Sequence, residues 1–110
     1  GPGAGAYSAA KAALTQFGRV AALELGEFGI RVNMLHPNAV FDTGVWTEEV
    51  LQQRAQHYGL SVAQYKASNM LRTEVTSADV AAAVVAFASD TFCCTTGAQV
   101  PVDGGNERVI

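Results

Sequence analysis

Leu25-Gly26-Glu27-Phe28-Gly29-Ile30-Arg31-Val32-Asn33-Met34-Leu35-His36-Pro37 holds the change of structure that decides the fold. Before it, apolar residues step by three and four. Leu14, Phe17, Ala21, Leu25 and Phe28 form a helical stripe over about residues 8–28. Many intervening positions are alanine, so another element can approach closely. Gly29 follows the last periodic residue and suits a left-handed C-terminal cap. Ile30 to Leu35 is then short and mostly apolar, with Ile30, Val32 and Met34 on one face, and Pro37 ends it. That pattern reads as a buried strand. A glycine-stopped helix feeding directly into a buried strand points to an α/β fold.

The rest of the chain repeats the alternation. Pro37 to Trp46 is irregular. Thr47 can cap a helix that carries Glu48 and Glu49 in its first turn, where the helix dipole favours acids. This helix should reach about Tyr58 and stop at Gly59. Ser61 and Gln64 form a capping-box pattern for a short helix from Val62 to about Met70. Thr76 and Asp79 repeat that logic for a third helix, with Val80, Val84 and Phe87 as its apolar stripe and an end near Ser89. Thr96-Gly97 is a turn, Ala98 to Val102 a second strand, and Asp103-Gly104-Gly105 its close. Two apolar strands separated by helices predict a parallel pair joined by a right-handed crossover. A parallel strand needs neighbours on both edges and cover on both faces. Two strands fall short of that, so the expectation is the C-terminal part of a larger α/β protein.

Composition narrows the function classes. The 110 residues suit one small domain, and 49% are hydrophobic, enough to build a core. A net charge of −3 and the lack of any basic run argue against nucleic acid or an anionic membrane as partner. No apolar stretch is long enough to span a bilayer and the opening lacks signal-peptide architecture, so the expected location is cytoplasmic. Cys93 and Cys94 are adjacent, bridge only with strain and have no other cysteine to pair with. They read as two small, partly buried thiols of a reducing compartment. Their spacing does not suit a metal, and no metal site is expected.

One short motif carries chemistry. In Tyr7-Ser8-Ala9-Ala10-Lys11 the tyrosine and lysine lie one turn apart on one helix face. A lysine ammonium held beside a phenol favours the ionised phenol. A tyrosine so placed can pass a proton near neutral pH. Alone, Tyr-x-x-x-Lys is a loose pattern, and an ordinary helix start reads the same way.

Taken in order, the residues resemble the short-chain dehydrogenase/reductase family. The match runs through Tyr7-Ser8-Ala9-Ala10-Lys11-Ala12-Ala13-Leu14 and Ala22-Leu23-Glu24-Leu25. It continues with Gly29-Ile30-Arg31-Val32-Asn33 and Pro37, and closes with Thr96-Gly97-Ala98-Gln99-Val100-Pro101-Val102-Asp103-Gly104-Gly105. The resemblance implies a Rossmann-type, doubly wound parallel sheet, three-layered when complete, of which this chain carries two strands and their helices. It implies that residues 1–110 are the C-terminal portion of one such domain, with 41–75 as its substrate lid. Tyr7 would exchange a proton with the substrate oxygen. Lys11 would support Tyr7 and bind the ribose of NAD or NADP. Asn33 would be structural. Pro37, Asn38, Val40 and Thr43 would line the nicotinamide pocket, although the family usually has glycine where Asn38 stands and a threonine one place before Thr43. Phe41 and Trp46 could face a small alcohol or carbonyl substrate. The family's glycine-rich phosphate loop and catalytic serine belong upstream of Gly1, so the isolated chain is expected to be inactive. A homodimer or homotetramer is implied. The segments around Phe41, Trp46, Tyr58-Gly59 and Arg72-Thr73-Glu74-Val75 are similar to one branch of the family. That branch is the dehydrogenase half of bifunctional rhamnulose-1-phosphate aldolase/dehydrogenases, with lactaldehyde as the implied substrate.

Other residues have plainer readings beside their functional ones. His36, at the strand's end, either contacts substrate or is structural, with the structural reading favoured, and His57 reads as a surface residue. Asp42 either binds a substrate hydroxyl or caps a loop. Phe41 and Trp46 are pocket walls or core. Arg72 and Glu74 read as a solvated pair. A different class of function also fits: an assembly module that self-associates through the first helix and the last strand.

Overall fold

The computed structural model describes residues 3–106. The order is α1 (Gly5–Gly26), β1 (Met34–Pro37), α2 (Glu48–His57), α3 (Val62–Lys66), α4 (Ser77–Ala88), a 3-10 turn at Asp90–Phe92, and β2 (Gln99–Val102). β1 and β2 form a two-stranded sheet. The Met34 N–H donates to the Ala98 carbonyl at 2.9 Å and the Asn38 N–H to the Val102 carbonyl at 3.4 Å. Both strands advance by four residues between these bonds, so the pairing is parallel, with α2 to α4 in the crossover. This is the expected α/β class, with a parallel two-stranded sheet. The chain divides into two compact units: one takes residues up to Met34 with Phe87–Val100, the other Leu35–Ala86 with the residues from Pro101 on.

In the first unit α1 begins at Gly5, before the expected start, with the Ser8 N–H donating to the Ala4 carbonyl at 2.8 Å. Gly29, at φ +70°, makes the expected C-terminal cap, and the Ile30 N–H returns to the Leu25 carbonyl at 3.2 Å. The packed face of α1 differs from the expected stripe. Leu14, Phe17 and Phe28 are 51%, 69% and 69% exposed, whereas Gly18 and Ala22 are buried. A Cβ on Gly18 would collide with the Met34 sulfur. Helix and strand therefore meet across small residues, where the backbones can come closest.

The expected strand from Ile30 starts only at Met34, for a physical reason. Opposite Val32 lies a turn instead of a ladder. The Val32 N–H donates to the Thr96 hydroxyl at 3.0 Å, and the Gly97 N–H to the Val32 carbonyl at 2.7 Å. The Asn33 amide donates to the Thr95 carbonyl at 2.9 Å and accepts from the Ala98 N–H at 3.0 Å. Arg31 donates to the Phe87 carbonyl at 2.8 Å and to that of Ser89 at 3.3 Å, satisfying acceptors at the end of α4. Cys93 and Cys94 are both free and exposed, not partly buried.

In the second unit the caps fall where the sequence puts them. The Val50 N–H donates to the Thr47 hydroxyl at 3.3 Å. Ser61 and Gln64 form a reciprocal capping box. At α4 the Thr76 N–H donates to the Asp79 carboxylate at 2.8 Å, and the Asp79 N–H returns to the Thr76 hydroxyl at 3.3 Å. Helix α3 stops at Lys66, short of Met70, because local side-chain bonds capture the backbone beyond it. The Ser68 hydroxyl donates to the Tyr65 carbonyl at 2.7 Å. Buried Asn69 donates to the Thr73 carbonyl at 2.7 Å and accepts the Thr73 N–H at 3.2 Å, holding a turn in which Arg72 has φ +53°. Gly104, at φ +65°, leaves the room Asn69 needs, since a Cβ there would stand 2.5 Å from the Asn69 Cγ. Glu74 pairs with Lys66 at 3.1 Å, which replaces the expected Arg72–Glu74 pair. Helices α2 and α3 pack together, and Phe41, Leu51, Ala55 and Val75 are the buried apolar residues of this unit.

Among the described residues no helix is long and apolar enough to cross a membrane, and no group of three or more His, Cys, Asp and Glu side chains could hold a metal.

Candidate functional site

The sequence-predicted residues fall into two groups, one in each unit. The first is at the head of α1. Tyr7 is 66% exposed, and the Lys11 ammonium stands 5.6 Å from the centre of its ring. That is cation–π range, and it puts a full positive charge over the phenol. The helix itself fixes the arrangement: a four-residue step returns almost one turn. Tyr7, Lys11, Gly18 and Ala22 follow one another at spacings of four, seven and four, so they share one helix face. The pair therefore lies on the face through which α1 meets Met34, with Gly18 about 16 Å along the axis from Tyr7 and about 10 Å from Lys11. A phenol and an ammonium thus lie on the helix face that also carries Gly18, which meets Met34.

The second group follows β1. Pro37 closes the strand and is exposed. Asn38 occupies the position where the resemblance expects glycine, and the positive φ falls one residue later, at Ala39 (+57°). Both border a cavity of about 480 Å³ whose other walls include Phe41, Trp46, Tyr58, Tyr65 and Asn106. The rings are interlocked. Phe41 meets Trp46 edge-on at 4.9 Å and Tyr65 at 5.3 Å, and Tyr58 stacks on Tyr65 at 5.9 Å. Phe41 is only 5% exposed, so it is core and wall at once. Val40 and Thr43 are placed differently. Val40 pairs with Val75 in an isolated parallel bridge. The Thr43 hydroxyl turns back to the Val40 carbonyl at 3.4 Å, and the Thr43 carbonyl accepts the Trp46 N–H at 3.0 Å.

Asp42, which could have met a substrate hydroxyl, is spent on α4. Its carboxylate accepts the Ser77 hydroxyl at 2.7 Å and the Ser77 N–H at 2.9 and 3.0 Å. The Ser77 hydroxyl, then the Ser77 N–H, hold its pKa below the ordinary carboxylate value. Asp79 is lowered in the same way by the backbone N–H and then the hydroxyl of Thr76. His57 is exposed and lies edge-on to Tyr58 at 5.0 Å.

Tyr58, Tyr65 and Asn106 line the cavity beyond the residues that the resemblance implies. A signal for the tyrosines exists: Phe41, Trp46, Tyr58 and Tyr65 are four of the chain's nine aromatic residues, gathered within 25 positions. Such crowding in a loop-rich stretch marks a shared ring cluster. Asn106 gives no signal of this kind.

Residues 1–107 match the family described as Enoyl-(Acyl carrier protein) reductase. An uncharacterized oxidoreductase of Bacillus subtilis is 39% identical over 110 residues, covering 96% of this chain and 16% of that protein. An uncharacterized NAD-dependent oxidoreductase of Mycobacterium tuberculosis is 36% identical over 104 residues, covering 94% of this chain and 38% of that protein. Among solved structures, carveol dehydrogenase from Mycobacterium avium in complex with NAD matches with a TM-score of 0.78 at 30% identity, over 98% of this chain and 41% of the other. The chain thus spans between a sixth and two fifths of the length of these proteins. Sequence and fold agree along almost all of it, and on that agreement the chain belongs to the short-chain dehydrogenase/reductase family of oxidoreductases.

Proposed function

We propose that this chain is the C-terminal part of an NAD- or NADP-dependent oxidoreductase that interconverts an alcohol and a carbonyl, with Tyr7 moving the proton. The observation that carries the reading is the Lys11 ammonium 5.6 Å from the centre of the Tyr7 ring, on the strand-facing side of α1. Both units belong to one catalytic domain of a cytoplasmic enzyme, and 41–75 is its lid.

Lys11 offers an ammonium whose donors suit the ribose hydroxyls of a nicotinamide nucleotide. In the second unit, Asn38 offers an amide at the wall of the cavity. When bound, that cofactor supplies or accepts the hydride. The chain's own residues do the rest. The Tyr7 hydroxyl donates a proton to the substrate oxygen in reduction and takes it back in oxidation. Lys11 stabilises the negative charge left on Tyr7 at that moment. In the second unit, Phe41 and Trp46 wall the cavity proposed to take the substrate, and Asn38 borders it. Pro37, Val40 and Thr43 shape the backbone next to the nicotinamide.

Lactaldehyde is the proposed substrate, and a joined aldolase domain the proposed context. The length of the Bacillus subtilis relative supports the second part. Nearly the same stretch is 16% of that protein and 38% of the Mycobacterium tuberculosis one, so the former is more than twice as long, with room for a further domain. The whole protein carrying Tyr7→Phe tests the reading. Its kcat for a secondary alcohol with NAD or NADP should fall by about 10²–10⁴-fold with little change in KM. Unchanged turnover would remove Tyr7 from the chemistry.

A second reading is an assembly role, as homodimer or homotetramer. It is favoured by the exposed apolar side chains of α1, Phe17 at 69% and Leu23 at 82%.

A further inference from the structure

We propose that Cys93 and Cys94 form a dithiol site that captures a trivalent arsenoxide as a cyclic bis-thiolate. The two sulfurs lie 3.8 Å apart, and both residues are exposed and free. They follow the 3-10 turn Asp90–Phe92, where the Cys93 N–H donates to the Asp90 carbonyl at 3.1 Å. Just beyond them the Thr95 N–H is tied to the Phe92 carbonyl at 3.0 Å, and the Thr95 carbonyl is held by Asn33 at 2.9 Å. The pair is therefore presented by backbone anchored on both sides.

Geometry selects the ligand class. A disulfide between adjacent residues is disfavoured, because Cα atoms joined by a trans peptide are about 3.8 Å apart, below the usual disulfide range of about 4.4–6.8 Å. A linear two-coordinate ion needs its sulfurs about 4.6 Å apart, twice a bond of about 2.3 Å. Two thiolates at that bond length and a tetrahedral angle stand about 3.8 Å apart, so the pair suits a bent centre. Zinc has that geometry but wants four ligands. Among the described residues no group of three or more His, Cys, Asp and Glu exists to supply them. Trivalent arsenic with one organic substituent needs two further bonds, at a somewhat narrower angle that a small rotation of either exposed side chain provides. The balance is simple. Two thiols lose their protons, two As–S bonds form, and the arsenoxide oxygen leaves as water. Arsenic keeps its oxidation state, and no oxidant or reductant takes part.

The test uses the whole protein, with any cysteine other than Cys93 and Cys94 replaced by serine, phenylarsine oxide as probe and a phosphine to keep the thiols reduced. Intact mass should show a single adduct equal to the arsenoxide less one water. That adduct should survive excess monothiol and be removed by 2,3-dimercaptopropanol. Cys93→Ser and Cys94→Ser, made singly, should each give an adduct that monothiol strips about a hundredfold faster, the gain from closing a second bond within one molecule. If the native adduct is stripped as fast as those of the single variants, or if none forms on the native chain, the proposal fails. Should a variant misfold, the contrast between monothiol and dithiol on the native chain decides alone. Persistence of the adduct in Cys93→Ser/Cys94→Ser would also overturn it.

Discussion

Helix α1 and the segment from Leu35 to Ala86 are built by opposite means. The helix runs 22 residues with no side-chain cap at its start, and buries only Gly18 and Ala22. The longer segment has helices of 10, 5 and 12 residues, with a side-chain cap at the start of each. Its turns are fixed by Asp42 on Ser77 and by Asn69 on Thr73. A long alanine-rich helix can rely on propensity and length. Helices of one to three turns cannot, so each must satisfy its own free N–H groups, and α2 also buries Leu51 and Ala55. Each region is fragile in a different place. The capped segment depends on particular long-range partners. The helix depends on the small face that meets Met34, and carries most of its large side chains outside.

The strongest test of this contrast is Leu51→Ala. Leu51 lies in α2 and is 3% exposed. Its truncation should cost about 2–5 kcal/mol, the usual range for a buried leucine. Urea unfolding followed by the fluorescence of Trp46, the chain's one tryptophan, reads out the unit that holds both residues. A loss below about 1 kcal/mol would mean that caps alone sustain the segment.

Asp42 and Asp79 provide the next test, through pH. Each carboxyl is held below its ordinary value of 3.8 by hydrogen bonds to the start of α4. A carboxyl with a depressed folded-state pKa adds stability that is fully present above its unfolded value. That stability is lost as pH falls through the lower folded value. Acid titration of the urea midpoint should therefore show a decline that begins near 3.8 and continues below it. Asp42→Asn should lower the midpoint at neutral pH and make the decline shallower. A variant whose acid limb overlays that of the native chain would show that Asp42 leaves α4 unanchored.

The same division explains what the sequence discloses. Thr47, Ser61 with Gln64, Thr76 with Asp79, and the stops at Gly29 and Gly59 are legible because each acts within one turn of itself. The spacing of Tyr7 and Lys11 is legible for that reason too. The start of β1 is not, because residues 31–33 face the Thr95–Gly97 turn more than sixty positions away, and nothing local reports it. The end of α3 fails similarly: Asn69 fits its turn only where Gly104 leaves room. Periodicity finds the stripe of Leu14, Phe17 and Phe28 but not what covers it, and the observed contact uses Gly18 and Ala22 instead. A glycine inside a helix costs about 1 kcal/mol relative to alanine. Gly18 was therefore the available hint that a close approach repays it.

The smallest expected effect on folding sharpens the comparison most. Leu23 is 82% exposed on α1, on the outer side from Gly18 and Ala22. Glutamate is an adequate helix former, and a surface substitution away from caps and core usually changes stability by about 0.5 kcal/mol or less. Leu23→Glu should therefore leave the unfolding midpoint and the far-ultraviolet circular dichroism as they are. Association is a separate matter. If the exposed side of α1 joins copies of the chain, a charge at Leu23 must be desolvated in every pair. The light-scattering mass should then fall toward the monomer at concentrations where the native chain associates. A variant that loses helix content instead would show that Leu23 is a folding contact, and the contrast between a self-sustained helix and a partner-dependent segment would not hold.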